Sequence, residues 1–152
     1  ATGAVRGRKG VRLAAYDRTT GELAWTSPST VAPSGTSWLA VDDTFLGNTP
    51  TGELVAIDAA TGALRYRHVL GRMLEADIPR RLEPVLRGGA VYVPHAEIHI
   101  FRPSDGSALG TVGPCEAIPD LLRVDERCDV YVAEESGHMA CFGVATRLQR
   151  IK

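Results

Sequence analysis

The sequence predicts an all-β fold assembled from one repeated unit, and three observations carry that prediction. Two phrases nearly repeat. "RLAAYDRTTGELAWT" from Arg12 and "ELVAIDAATGALRYR" from Glu53 each alternate apolar and polar residues, break at a turn ending in glycine, and alternate again. Residues just before such a turn or its equivalent, Tyr16, Ile57, Phe101 and Phe142, are spaced by 41, 44 and 41 positions, within the period of about 40 to 45 residues of a four-stranded propeller blade. Helical arrays share that length. Here the segments are short, rich in Val, Ile, Tyr and Phe at period two, and bounded by turn residues, which selects strands.

The elements follow in order. The second unit reads "WLAV", "TFLG", "ELVAID", "ALRYRHV"; the third "EPVL", "AVYVP", "EIHIF", "ALGTV"; the fourth "LLRV", "DVYVA", "HMACF", "RLQRI". The first lacks its innermost strand, because little beyond "GAVRGR" precedes Val11. First and second strands are joined by short tips, "VDDT", "RGGA" and "VDER". Third and fourth strands are joined by "DRTTG", "DAATG" and "PSDG". There an Asp or Ser accepts backbone N–H groups, and Gly21 and Gly62 are placed at positive φ. In the fourth unit Arg147 replaces that glycine; terminal repeats are commonly atypical. The reading is a single segment over 1–152, a partial ring of four-stranded antiparallel blades at about 1–28, 36–70, 82–113 and 119–152.

Composition narrows the partners. With 17 Lys+Arg against 18 Asp+Glu there is no basic field to hold a nucleic-acid backbone. No stretch approaches the roughly 20 apolar residues of a membrane-spanning helix. The chain opens "ATGAVRGRKG", without an initiator Met or a charged-then-apolar leader, as a processed chain or a segment of a longer one does.

"AAYDRTTGELAW" and "VAIDAATGALRY", with "HIFRPSDGSALG" more loosely, resemble the PQQ-type β-propeller repeat. The resemblance implies that Trp25 and Tyr66 dock against the neighbouring blade. Closed propellers typically have 4–8 blades, so about four leave open ends. The remaining blades are expected from more polypeptide, a second copy in a homodimer, or another protein. The resemblance also raises a quinoprotein dehydrogenase, with pyrroloquinoline quinone over the axis and calcium beside it. Those enzymes resemble one another in a disulfide between adjacent cysteines, whereas Cys115, Cys128 and Cys141 are apart.

The remaining chemistry-bearing residues read as structural. The cysteines are expected as buried thiols on core strands, with Val130 opposite Cys141 and no CxxC pair for zinc. On a strand, His99 and Glu97 share a polar, solvated face while His95 sits in the turn. Asp42 and Asp43 read as solvated acids at a hairpin tip. There is no G-x-S-x-G elbow and no P-loop.

Geometry supplies the candidate contact region. Turns between second and third strands share one face with the blade-to-blade connections. The longest connection, 71–81, carries Arg72, Arg80 and Arg81, which are the candidate partner-binding residues because guanidinium groups pair with carboxylates in a bidentate fork. The expected function is a non-catalytic scaffold for protein–protein interaction or assembly, without cofactor or metal. The alternative is a ligand-sensing or quinone-binding propeller domain. The resemblance favours a bacterial periplasmic or extracellular setting.

Overall fold

The computed structural model describes residues 10–27, 31–33, 35–71, 83–115 and 118–143, and among these there is no helix. The first unit is a ribbon of β2 (Ala14–Tyr16) and β3 (Leu23–Thr26); β1 (Gly10–Val11) pairs instead with β4 (Ala32–Pro33) in the following connection. The second sheet runs β5 (Ser37–Val41), β6 (Thr44–Asn48), β7 (Glu53–Asp58), β8 (Leu64–Val69) as an antiparallel meander. The third repeats that order with β9 (Val85–Arg87), β10 (Ala90–Pro94), β11 (Ile98–Phe101) and β12 (Ala108–Val112). The fourth has β13 (Leu121–Val124), β14 (Val130–Ala133) and β15 (Met139–Phe142); "RLQRI" lies outside the described residues. This is a partial ring of a β-propeller.

Local chemistry sets the turns. Val41 pairs with Thr44 around Asp42 at φ 48, and Arg87 pairs with Ala90 around Gly88 and Gly89 at φ 57 and 73, the twist that a two-residue hairpin demands. In the wider turns Asp17 Oδ1 accepts the amides of Thr19 and Thr20, and Asp58 Oδ1 those of Ala60 and Thr61. Gly21, Gly62 and Gly106 all stand at φ 74, so the expected positive φ is found at each.

Alternation gives the second and third sheets two apolar faces. On β7, Val55 and Ile57 pack with Val31 toward the first unit, while Leu54 and Ala56 pack with Val91, Val93 and Phe101 of the third sheet. On the third sheet, Ala90, Tyr92, Ile98 and Ile100 face Leu122, Val124, Val130 and Val132 of the fourth. The core therefore lies in successive seams between sheets.

At two seams one detail recurs. The Trp25 ring lies over Gly62, where any Cβ would enter the ring, and its Nε1 donates to the Ala59 carbonyl at 3.0 Å. The Tyr66 ring lies over Gly106, with 2.7 Å to an added Cβ, and its hydroxyl donates to the Pro103 carbonyl at 2.7 Å. Both aromatics thus dock on the next blade as the repeat resemblance implies. A register shift at Ala15/Tyr16, Ala56/Ile57 and Ile100/Phe101 recurs in the same hairpin of the first three sheets, and such bulges re-aim side chains.

At the rim opposite the β6–β7 turn, Arg65 ties two turns together. Its Nη2 lies 2.6 Å from both Asp43 Oδ2 and Asp58 Oδ2, and its Nη1 donates to Thr44 Oγ1 at 2.7 Å. Asp43 is therefore an ion-pair partner and not simply a solvated acid. The guanidinium, helped by Thr61, holds the Asp58 carboxyl down at about 2.

Trp25→Ala removes both contacts of its seam. Because the ring is half-buried, the loss belongs at the lower end of about 3–5 kcal/mol. Tyr66→Phe keeps the packing and loses the hydrogen bond, about 1 kcal/mol. Urea unfolding of both variants checks this order, and a Trp25→Ala protein with wild-type stability contradicts it.

Candidate functional site

One face of the arc collects the turns at 49–52, 95–97 and 134–138. Adjacent elements there are cross-tied: Asn48 Nδ2 donates to the Pro94 carbonyl at 3.1 Å, the Leu70 amide to Gly52 at 2.8 Å, and the Glu135 amide to Asp120 Oδ2 at 2.7 Å. The backbone is held without helices, so loops on this face are presented by a rigid frame. Arg72, Arg80 and Arg81 lie outside the described residues. The flanking Gly71 and Glu83 both stand on this face, Gly71 against the His95 ring and Glu83 in the cleft described next.

Between the third and fourth sheets a cleft of about 190 Å³ is lined by Glu83, Pro94, Pro119, Asp120, Leu121, Leu122 and Arg123. Two carboxylates and one guanidinium around prolines and leucines suit hydrogen bonding to a peptide or polar rim. The lining holds no Ser, Cys or His to serve as a nucleophile or base. Among the described residues no group of three or more His, Cys, Asp or Glu side chains is placed to hold a metal ion.

The histidines depart from the sequence expectation. His95 is buried at 5% exposure, and its Nε2 has no hydrogen-bond partner among the described residues. His99 is half-buried and stacks with Phe101 at 6.2 Å, and His68 of the preceding blade stacks with the same ring at 5.0 Å. These groups form the outer part of a seam, not a face in water. His68 was legible: the alternation that aims Tyr66 at the next blade aims His68 there too. Burial, with each other's proximity at His95 and against the pull of Glu97 at His99, pushes both imidazoles below their ordinary value of 6.5.

The cysteines are also corrected. Val130 pairs with Phe142, and Cys141 with Tyr131, so the register is one residue from that expected and Cys141 is exposed. Cys128 sits in a turn at φ 64, and Cys115 follows β12. No disulfide joins any of the three, and Cys115 and Cys128 are half-buried against the core.

The first and fourth sheets carry exposed apolar side chains. On the first sheet Tyr16 is 66% exposed, although Ile57 at the same register is fully buried. On the fourth, Leu121, Tyr131 and Met139 lie on the face turned away from the third sheet, with Met139 74% exposed. Clustered apolar surface of this kind marks interaction sites.

A family model described as outer membrane protein assembly factor BamB matches residues 9–112, a stretch ending with β12, before the fourth sheet. Among solved structures, the fold is similar to the crystal structure of BamB from Moraxella catarrhalis, at 22% identity and a TM-score of 0.69, covering 90% of this chain and 44% of that one. It is also similar to the computationally designed Ika4 protein, at 12% identity and a TM-score of 0.65, covering 88% of this chain and 79% of that one. At these identities the likeness is one of fold, and the chain spans less than half the length of the Moraxella protein. No curated protein sequence matches it.

The buried histidines generate a pH prediction. Their folded pKa values lie below 6.5, so the fold binds fewer protons than the unfolded chain. Their contribution is complete above about pH 6.5 and is lost as pH falls from there toward the depressed values. Melting temperature should fall below pH 6.5 in the wild type and more shallowly in His95→Asn. Identical slopes contradict the burial of a neutral imidazole.

Proposed function

Because the chain belongs to the family described as outer membrane protein assembly factor BamB, we propose that it is a non-catalytic β-propeller scaffold working through protein–protein contact within a larger ring. The observation that carries this reading is the pair of open apolar end faces. Internal faces at the same register are buried, whereas Tyr16, Tyr131 and Met139 await cover. Separate sheets with exposed faces favour association with further blades.

The loop face supplies the partner contact. By this reading Arg72, Arg80 and Arg81, in the segment between Gly71 and Glu83, are the residues offered to acidic groups of a protein partner. The role printed for the family, assembly of outer membrane proteins, extends by this reading to contacts in the bacterial envelope. No helix of the described residues is long and apolar enough to cross a membrane, which is consistent with contact through loops and sheet faces.

Light scattering at micromolar concentration tests the ring. The 152 residues should associate or aggregate, and a monodisperse monomer of 16.3 kDa contradicts the need for further blades. Addition of pyrroloquinoline quinone with calcium separates scaffold from quinoprotein. No saturable absorption change is expected, and one that saturates overturns the scaffold reading. Replacing Arg72, Arg80 and Arg81 together with Ala should weaken capture of an acidic partner while leaving the melting temperature unchanged.

A further inference from the structure

Three imidazoles meet in the seam between the second and third sheets, and both blades contribute them. His68 on β8 stacks on Phe101 at 5.0 Å, Phe101 stacks on His99 at 6.2 Å, and His99 meets His95 edge-on at 6.0 Å. The row ends under the loop face. There a Cβ built on Gly71 would lie 3.0 Å from His95 Cε1, and one on Gly52 would lie 3.2 Å from its Nε2, so one edge of the ring rests against two bare backbones. Two hydrogen bonds close the same joint. The Leu70 amide donates to the Gly52 carbonyl at 2.8 Å, and Asn48 Nδ2 crosses to the next blade to reach the Pro94 carbonyl at 3.1 Å. His95 is therefore the filler on which the 49–52 turn, the end of β8 and the 95–97 turn converge.

A neutral imidazole keeps a proton on one nitrogen, whereas an imidazolium carries N–H on both. His95 is 5% exposed and its Nε2 has no partner among the described residues, so a second proton there would bury a charged donor without an acceptor. His99, half-buried, is the way in for protons. Once it is charged, His95 faces a cation 6.0 Å away in surroundings poor in water. Among the described residues little answers that charge. Facing the row, β7 presents Leu54 and Ala56, β10 presents Val91 and Val93, and β12 sets Thr111 opposite His99. Residues 49–52 and Gly71 carry no titratable side chain. Glu97 acts on His99 and on the Cys115 thiol, while Asp105 and Arg65 act on Tyr66 at the far end of the row.

We propose that this seam is a proton-operated joint, in which charging of His99 and His95 parts the second blade from the third at the loop face while the seams on either side stay shut. The asymmetry lies in the residues. The cluster around Val55 and Ile57 at the seam before it contains no histidine, and neither does the cluster from Ala90 to Val132 at the seam after it. Two imidazoles make the opening steep, because the first charge opposes the second until the seam parts. The 49–52 and 95–97 turns thus stand in register at neutral pH and separate in acid, whatever docks on them. A melting temperature that falls with pH is common to any buried neutral imidazole. The joint adds that the loss is local.

Hydrogen exchange of the whole chain, read by mass spectrometry at about pH 7.5 and about pH 5 and corrected for intrinsic rates, tests this. Protection should fall about tenfold or more in peptides covering 48–54, 68–71 and 93–99. It should hold in peptides covering 22–27 and 121–132. Equal loss in all of these peptides, or no loss in the first three, overturns the joint. His95→Asn combined with His99→Gln should abolish the local fall, and a fall of wild-type size in that variant also overturns it. Where the double variant does not fold, His99→Gln alone decides. Its local fall should be shallower with pH than that of the wild type, and an unchanged slope rules out His99 as the entry point on which the joint depends.

Discussion

In a structure built from separate sheets, no backbone ladder joins one blade to the next, and the second, third and fourth sheets here share no strand. Everything that fixes blade against blade is side-chain packing plus a few hydrogen bonds. Apolar contact is non-directional, so the Val, Leu and Ile residues of a seam supply cohesion but set the angle between sheets weakly. The directional element is the aromatic on glycine. Trp25 on Gly62 and Tyr66 on Gly106 each combine a ring against bare backbone with a hydrogen bond to a defined carbonyl. A glycine is required twice over at these turns, once for its positive φ and once for the space a Cβ would take.

The third seam is made differently. Gly110 stands where an aromatic would, at φ 146, and Arg147 replaces the turn glycine in the fourth repeat. Both partners of the lock are missing at the same seam, and cohesion there falls to the cluster from Ala90 to Val132. The family match ends at Val112, and beyond it the fourth repeat has Arg147 at the position of the turn glycine.

The period, the strand positions and the glycine turns were legible because each follows from local rules: alternation for strands, Asx turns for Asp17 and Asp58, positive φ for glycine. The docking roles of Trp25 and Tyr66 came from resemblance and agree with the geometry. What was misread depends on pairing across distance. Cys141 was placed one residue out of register because the β14–β15 tip holds three residues, Glu135 to Gly137, with Gly137 at φ 87, and a one-residue slip turns every side chain to the other face. The sequence places His95 in a turn but does not show the Gly52 and Gly71 backbones that close over its ring. The β1–β4 pairing joins a connection to the chain start, which no repeat pattern encodes. The candidate arginines, Arg72, Arg80 and Arg81, lie outside the described residues.

Alanine placed singly at Gly21, Gly62 and Gly106 tests the seam most directly, because the three share one φ and differ in what lies above them. Unfolding free energy should fall at Gly21 by the backbone strain alone, about 1 kcal/mol, and by clearly more at Gly62 and Gly106. The excess at Gly62 should vanish in a Trp25→Leu background, a coupling above the roughly 0.5 kcal/mol expected of independent sites. Equal losses at all three glycines, or strict additivity with Trp25→Leu, would contradict the claim that a ring on bare backbone sets one blade against the next.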